Sequence, residues 1–102
     1  MYPEFTTMTD VETVAKEELH MMHYPQEDVL KTEAERRHRA HEAQRAVTLG
    51  NAYHGKLDIY FQTADGATKR VQTTVWAADD EYLTLKSGVS IPMRAVSWMD
   101  FY

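Results

Sequence analysis

Four of the five histidines stand in two pairs whose spacing could serve a metal ion. His20 and His23 are three residues apart, and so are His38 and His41. On a helix this spacing places both imidazoles of a pair on one face, as a zinc or copper site requires. The two pairs are too far apart along a helical chain to share one ion, and no third ligand completes either pair. We therefore interpret them as surface histidines and expect neither a metal nor another cofactor.

An aromatic pair beside basic residues is a second candidate site. Tyr60 and Trp76 occupy the polar phase of two predicted strands, with Lys69 and Arg70 near them in sequence. Aromatic rings next to cations bind single-stranded nucleic acid by stacking on its bases. The same rings could instead be covered by the N-terminal helices, because a large exposed aromatic patch is uncommon on a monomer. The sequence favours the covered arrangement.

A short basic run is the third candidate. Arg36, Arg37 and Arg39 lie in a predicted helix, where Glu33 and Glu35 stand four residues before two of them. Pairs of this spacing and order stabilise a solvated helix face. We therefore expect the turns around these arginines to be exposed, with a docking patch for an acidic partner as the alternative.

No motif for catalysis accompanies these residues. The carboxylates of Asp79, Asp80 and Glu81 are adjacent, but a predicted tight turn contains them, so a polar hairpin end is the expected role. The chain has no G-x-S-x-G elbow, no phosphate-binding glycine loop and no H-E-x-x-H sequence. We predict that the protein is not an enzyme.

The elements that must position these residues divide the chain into two parts. Residues 1–50 are predicted to be helical. A first helix starts with the capping-box pattern Thr9–Glu12 and ends near His23. A second has Pro25 in its first turn and includes the helix-forming run Glu27–Leu49, with Gly50 and Asn51 as its C-cap.

From residue 51 the apolar residues recur with a period of two, which is typical of half-buried strands. Turn residues separate five such segments, and Ser87-Gly88 supplies the positive φ of a tight hairpin. The predicted core comprises Leu57, Ile59, Phe61, Val71, Val75, Leu83, Leu85, Val89, Ile91 and Val96. We therefore predict one α+β domain over residues 1–102, with N-terminal helices followed by a strongly bent, five-stranded antiparallel β-barrel over residues 51–102.

The segment from Val75 to Phe101 resembles the Sm-like, or SH3-like, small barrels that include bacterial Hfq. The matching positions are Val75, Asp79, Asp80, Leu83, Leu85, Gly88, Ile91 and Val96. The resemblance implies a ring-forming, RNA-binding protein. It departs from the family where Glu81 and Tyr82 follow the acidic turn without the family's asparagine, and where residues 92–95 lack a basic–aromatic–histidine element. The family's RNA contacts therefore have no counterparts to carry over.

Composition narrows the class of function further. Eleven basic and sixteen acidic residues give a net charge of −5, which opposes binding to nucleic acid and to anionic membranes. Cysteine is absent, and no apolar run approaches the roughly 18 residues of a spanning helix. The first ten residues look like neither a signal peptide nor an anchor. These features predict a cytoplasmic protein.

We therefore expect a non-enzymatic protein-interaction or self-assembly module with an unidentified protein partner, most simply a second copy of itself. Trp98, Met99, Phe101 and Tyr102 place large side chains on both faces of the final strand, and only one face can enter the core. An Sm-like RNA-binding protein is the alternative.

Overall fold

A computed structural model of the chain describes residues 11–101. They contain one long helix, α1 (Glu33–Tyr53), and three short 3₁₀ helices at Lys16–Met21, Lys86–Gly88 and Met93–Ala95. Seven strands complete the described part: β1 (Glu12–Val14), β2 (Leu57–Gln62), β3 (Thr68–Thr73), β4 (Val75–Ala78), β5 (Tyr82–Leu85), β6 (Ser90–Pro92) and β7 (Val96–Phe101). The predicted α+β class is confirmed.

The strands form two sheets instead of the predicted five-stranded barrel. One sheet has four strands in the order β1-β3-β2-β7, and the other has three in the order β4-β5-β6. β1 runs parallel to β3, and all other neighbours are antiparallel. The barrel prediction was wrong because, between residues 11 and 101, no hydrogen-bonded ladder joins the two sheets into a closed wall.

A break at Thr74 separates the sheets within what the sequence presented as one strand. β3 ends at Thr73 and β4 begins at Val75. The Thr74 carbonyl accepts a hydrogen bond from the backbone N–H of Lys86 at 2.9 Å, outside any ladder. The chain therefore crosses from one sheet to the other through a single residue.

The predicted first helix is wrong. A three-residue strand and a 3₁₀ helix occupy its place. Thr13 and Val14 are β-branched, which favours a strand, and Val14 lies opposite Val71 of β3 with its side chain buried. Leu19 is the buried residue of the 3₁₀ helix that follows. The apolar residues here have helical spacing, but pairing with the distant strand β3 determines the structure of this segment instead.

The capping box predicted at the start of that helix includes Thr9 and Asp10, which lie outside the described residues. Glu12, its acidic member, belongs to β1, and its carboxylate receives the Lys69 ammonium at 2.5 Å.

Helix α1 begins at Glu33, later than the predicted first turn at Pro25. Thr32 caps it, because its hydroxyl accepts from the N–H of Glu35 at 3.1 Å while the Glu35 carboxylate accepts from the N–H of Thr32 at 3.2 Å. Upstream, the Asp28 carboxylate accepts from the backbone N–H two residues on, at 2.8 Å. Such a local turn competes with helical hydrogen bonding, so the chain before Thr32 is irregular.

Small residues let α1 lie close to the strands. Ala43, Ala46 and Gly50 are buried on the helix face that packs against the sheets. Gly50 was predicted to end the helix, but the helix continues to Tyr53, and His54 ends it in the left-handed region at a φ of 54°. Gly50 serves the packing instead.

The core prediction is confirmed for nine of its ten residues. Val89 alone is half-buried, although it packs against the same cluster. That cluster draws on both sheets, α1 and the 3₁₀ segments, through residues such as Leu19, Met93 and Ala95. None of the described helices is long and apolar enough to cross a membrane.

Candidate interaction surfaces

A row of four side chains crosses the outer face of the four-stranded sheet. In the strand registers Thr13 lies opposite Arg70, Arg70 opposite Tyr60, and Tyr60 opposite Trp98. Because side chains alternate along each strand, this row lies on the face opposite the buried Ile59. We call it the outer row; it runs from the β1 edge to the β7 edge.

Aromatic stacking and hydrogen bonds from Arg70 join the side chains of the outer row. The Tyr60 and Trp98 rings have centroids 4.2 Å apart and planes within 11° of parallel. Arg70 donates to the Thr13 hydroxyl at 2.6 and 2.9 Å and to the Tyr60 hydroxyl at 3.4 Å. Tyr60 is 2% exposed, whereas Trp98 is 41% exposed. The row holds the Trp98 ring in place and leaves a large part of it in solvent.

The structure separates the four residues that the sequence suggested as one stacking surface. Tyr60 and Arg70 share the outer row, but Lys69 lies on the other face of β3, and its hydrogen bond to Glu12 raises the pKa of the Lys69 ammonium. Trp76 belongs to the other sheet and is 45% exposed. Tyr60 and Trp76 therefore do not form an aromatic pair.

The three arginines of the basic run have different environments. Arg37 is exposed and pairs with Glu33 at 3.0 Å, as the spacing predicted. Arg36 is half-buried and donates to the carbonyl of Leu30 at 2.9 Å. The expected exposure is wrong for Arg39, which is 6% exposed. The run is therefore not a continuous docking patch.

Arg39 is buried because it joins three parts of the chain. Its guanidinium donates to the Asp28 carboxylate at 2.6 and 2.8 Å and to the carbonyl of Val96 at 3.0 Å. Burial opposes ionisation of Asp28, but the hydrogen bond from Arg39, with that from the Leu30 N–H, outweighs it and lowers the pKa of Asp28. This ion pair ties the loop before α1 to the start of β7.

Strand β7 forms one edge of the four-stranded sheet. Its inner face is covered, since Met99 is buried and the Arg45 guanidinium lies 4.2 Å from the centroid of the Phe101 ring. Among residues 11–101, no strand pairs with its outer edge. Trp98 therefore stands beside an open row of backbone donors and acceptors.

A cleft of about 420 Å³ lies next to Trp76. Its walls come from the end of α1, the Thr74 junction and the turn after β5. The lining residues are Gly50, Asn51, His54, Thr74, Trp76 and Lys86.

The remaining candidates have structural roles or stand apart. Asp79 accepts hydrogen bonds from the N–H groups of Tyr82 and Glu81, both at 2.8 Å, and these bonds lower the pKa of its carboxyl. The turn is thus a polar hairpin end.

Both histidine pairs are exposed, and in the described part of the chain no group of three potential ligands is suited to a metal ion.

Sequence reasoning did not select Trp98 as a site residue, although it noted the bulk of the final strand. The available signal was alternation, because Met99 and Phe101 share one phase and Trp98 has the other. The stacking partner Tyr60 could not be identified without the pairing of β2 with β7.

In comparisons with known proteins, no family model, no curated protein and no solved structure matches this chain.

Proposed function

We propose that the chain is a non-enzymatic interaction module that self-associates by pairing the edge of β7 with the same edge of a second copy. The observation that carries the proposal is the exposed Trp98 ring, stacked on buried Tyr60 at the open edge of the sheet.

The edge supplies affinity through the backbone. β7 is six residues long, and its start is irregular, because its pairing with β2 shifts register between Val96 and Trp98 and the Val96 carbonyl already accepts from Arg39. An added antiparallel strand satisfies the outward N–H and C=O groups from Trp98 onward. Long edge strands that lack such cover are prone to pair with another chain. Self-pairing provides that cover with no second protein.

Trp98 supplies a central apolar contact. Its ring is held by Tyr60 before any partner arrives, so little side-chain freedom is lost when it is buried. Tryptophans held in this way are over-represented among the residues that dominate binding energy.

A two-fold axis defines the register. Placing Trp98 opposite its own copy makes an aromatic cross-strand pair on the outer face. It also places the two Asp100 residues on opposite sides of the Trp98 pair, so their carboxylates do not face each other. Each chain has a net charge of −5, but this register brings no like charges into direct contact across the paired strands.

Light scattering and sedimentation of the full chain across the micromolar range test the proposal. We expect a concentration-dependent dimer, and we expect Trp98→Thr to raise its dissociation constant at least about tenfold, since a central tryptophan contributes more than the corresponding 1.4 kcal/mol. The matched control is Tyr82→Thr, which removes an exposed ring from the other sheet. A strict monomer, or equal dissociation constants for the Trp98 variant and the unsubstituted chain, contradicts the proposal.

The RNA-binding alternative has its own measurement. A fluorescence titration with uridine-rich and adenosine-rich single strands at physiological salt is expected to show no affinity tighter than about 1 μM. Tighter, salt-dependent binding would instead favour a nucleic-acid role.

A further inference from the structure

The cleft beside Trp76 is built from three separate pieces of backbone. The end of α1 approaches β4 closely at Gly50, where an added Cβ would lie 2.1 Å from the carbonyl oxygen of Val75. The turn after β5 is joined to the same place by the 2.9 Å hydrogen bond from the Lys86 N–H to the Thr74 carbonyl. These contacts fix the floor of the cleft, so its shape exists before a ligand binds.

The walls offer one aromatic face and positive charge. Trp76 exposes nearly half of its surface, and Lys86 is an exposed ammonium that forms no ion pair with any residue between 11 and 101. His54 adds an imidazole, and Asn51 and Thr74 add neutral polar groups. No carboxylate is among the lining residues of the described structure.

The C-terminal end of α1 opposes this preference only in part. A helix C-terminus normally presents free carbonyl oxygens and a partial negative charge. Here the carbonyls of Gly50 and Leu49 accept hydrogen bonds from the N–H groups of His54 and Gly55, at 3.0 and 3.3 Å. These two acceptors already have donors, and the full charge of the Lys86 ammonium exceeds the roughly half charge of a helix C-terminus, so the cleft as a whole favours an anion.

We propose that this cleft binds a small planar ring that carries a carboxylate or a phosphate. The ring lies against the Trp76 indole, and the anionic group meets the Lys86 ammonium, with His54 and Asn51 as further donors. A volume of about 420 Å³ suits a ligand of one or two rings, because small-molecule sites span about 300–1,000 Å³. None of the lining residues belongs to β7, so the proposal does not depend on self-association.

Two-dimensional NMR of the isotope-labelled full chain tests the proposal, with the Trp76 indole N–H signal as the readout. The probes are indole-3-carboxylate and adenosine monophosphate, each at up to millimolar concentration. The neutral analogues indole-3-carboxamide and adenosine control for stacking alone. We expect saturable shifts of the Trp76 signal with both anions and at least about tenfold weaker binding of the neutral forms, as loss of a charged hydrogen bond predicts.

Variants separate the two wall contributions. Lys86→Gln is expected to weaken both anions about tenfold, whereas Lys31→Gln, an exposed lysine before α1, leaves them unchanged. Trp76→Leu removes the indole N–H signal, so ligand binding to this variant is followed through the signals of Lys86. Tyr82→Leu is the control for loss of an aromatic ring elsewhere. Tighter binding of the nucleotide identifies phosphate as the anionic group, and tighter binding of the indole acid identifies a carboxylate. No saturable shift with either anion, or equal binding by the neutral analogues or by Lys86→Gln, overturns the proposal.

Discussion

Gly50 of α1 faces the carbonyl oxygen of Val75 in β4 so closely that an added Cβ would lie 2.1 Å from that oxygen and 2.9 Å from the Cγ2 of Thr74. Real side-chain carbons do not approach backbone oxygens to that distance. The helix therefore rests on the start of β4 through bare backbone, and this contact places the end of α1 beside Trp76.

Gly50→Ala is expected to destabilise the protein despite the better helix propensity of alanine. Propensity favours alanine by about 1 kcal/mol in a helix interior, whereas forced overpacking costs about 1–3 kcal/mol and more when backbone must move. Urea denaturation measures the free energy of unfolding. The control is His41→Ala at an exposed helical position, expected within about 0.5 kcal/mol of the unsubstituted chain. A stabilised Gly50 variant would show that α1 does not rest on β4.

Arg39→Met is expected to lower the free energy of unfolding by about 3 kcal/mol, because it leaves the Asp28 carboxylate and the Val96 carbonyl without their shared donor. Arg37→Met removes an exposed pair and should cost less than about 1 kcal/mol. Chemical denaturation of both variants makes the comparison. Equal losses would mean that the buried pair contributes no more than the surface one.

Ile91→Ala is expected to cost about 2–5 kcal/mol, the range for truncating a fully buried aliphatic side chain. Val89→Ala, in the neighbouring half-buried position, should cost clearly less. The same denaturation measurements apply. A loss below about 1 kcal/mol for Ile91→Ala would place its side chain in solvent, contrary to the register of β6 with β5.

Tyr24 links stability to alkaline pH. Burial raises the pKa of its phenol to about 12 from an ordinary value of 10.0, and the hydroxyl donates to the Leu19 carbonyl at 2.7 Å. The folded state holds the proton more tightly than the unfolded state, so this contribution is complete below about pH 10 and is lost as the pH rises towards 12. Relative to the unsubstituted chain, Tyr24→Phe should be less stable at neutral pH and lose less stability in that window. Parallel stability curves for the two proteins would contradict this assignment.

Regular alternation made most of the sheet predictable. The apolar phase of the C-terminal strands identified nine of the ten named core residues correctly, because one-sided burial repeats every second residue. Ser87 and Gly88 have φ values of 78° and 87°, as the hairpin prediction required. Local patterns of this kind need no knowledge of distant partners.

Features that depend on distant pairing were beyond the sequence. Nothing local distinguishes Arg39, which is buried by Asp28 and Val96, from the exposed Arg37. The sequence favoured cover of Tyr60 and Trp76 by the N-terminal helices, but Tyr60 is buried by stacking on Trp98 in its own sheet, and Trp76 remains 45% exposed. The capping box of Thr32 and Glu35 was readable in the sequence, but the prediction favoured Pro25 as the helix start.

The two ends of the four-stranded sheet are unequal, and this sets a limit on growth. β7 is six residues long, whereas the described β1 has three residues and pairs in parallel with β3. Such a short edge strand is a poor template for pairing with another chain. A sheet with one long open end pairs once with its own copy and then stops as a closed dimer. If β1 detached, the six-residue β3 would become a second long end, and copies could add at both ends without termination. The short strand at the start of the described chain would then mark the difference between a finite assembly and a fibre.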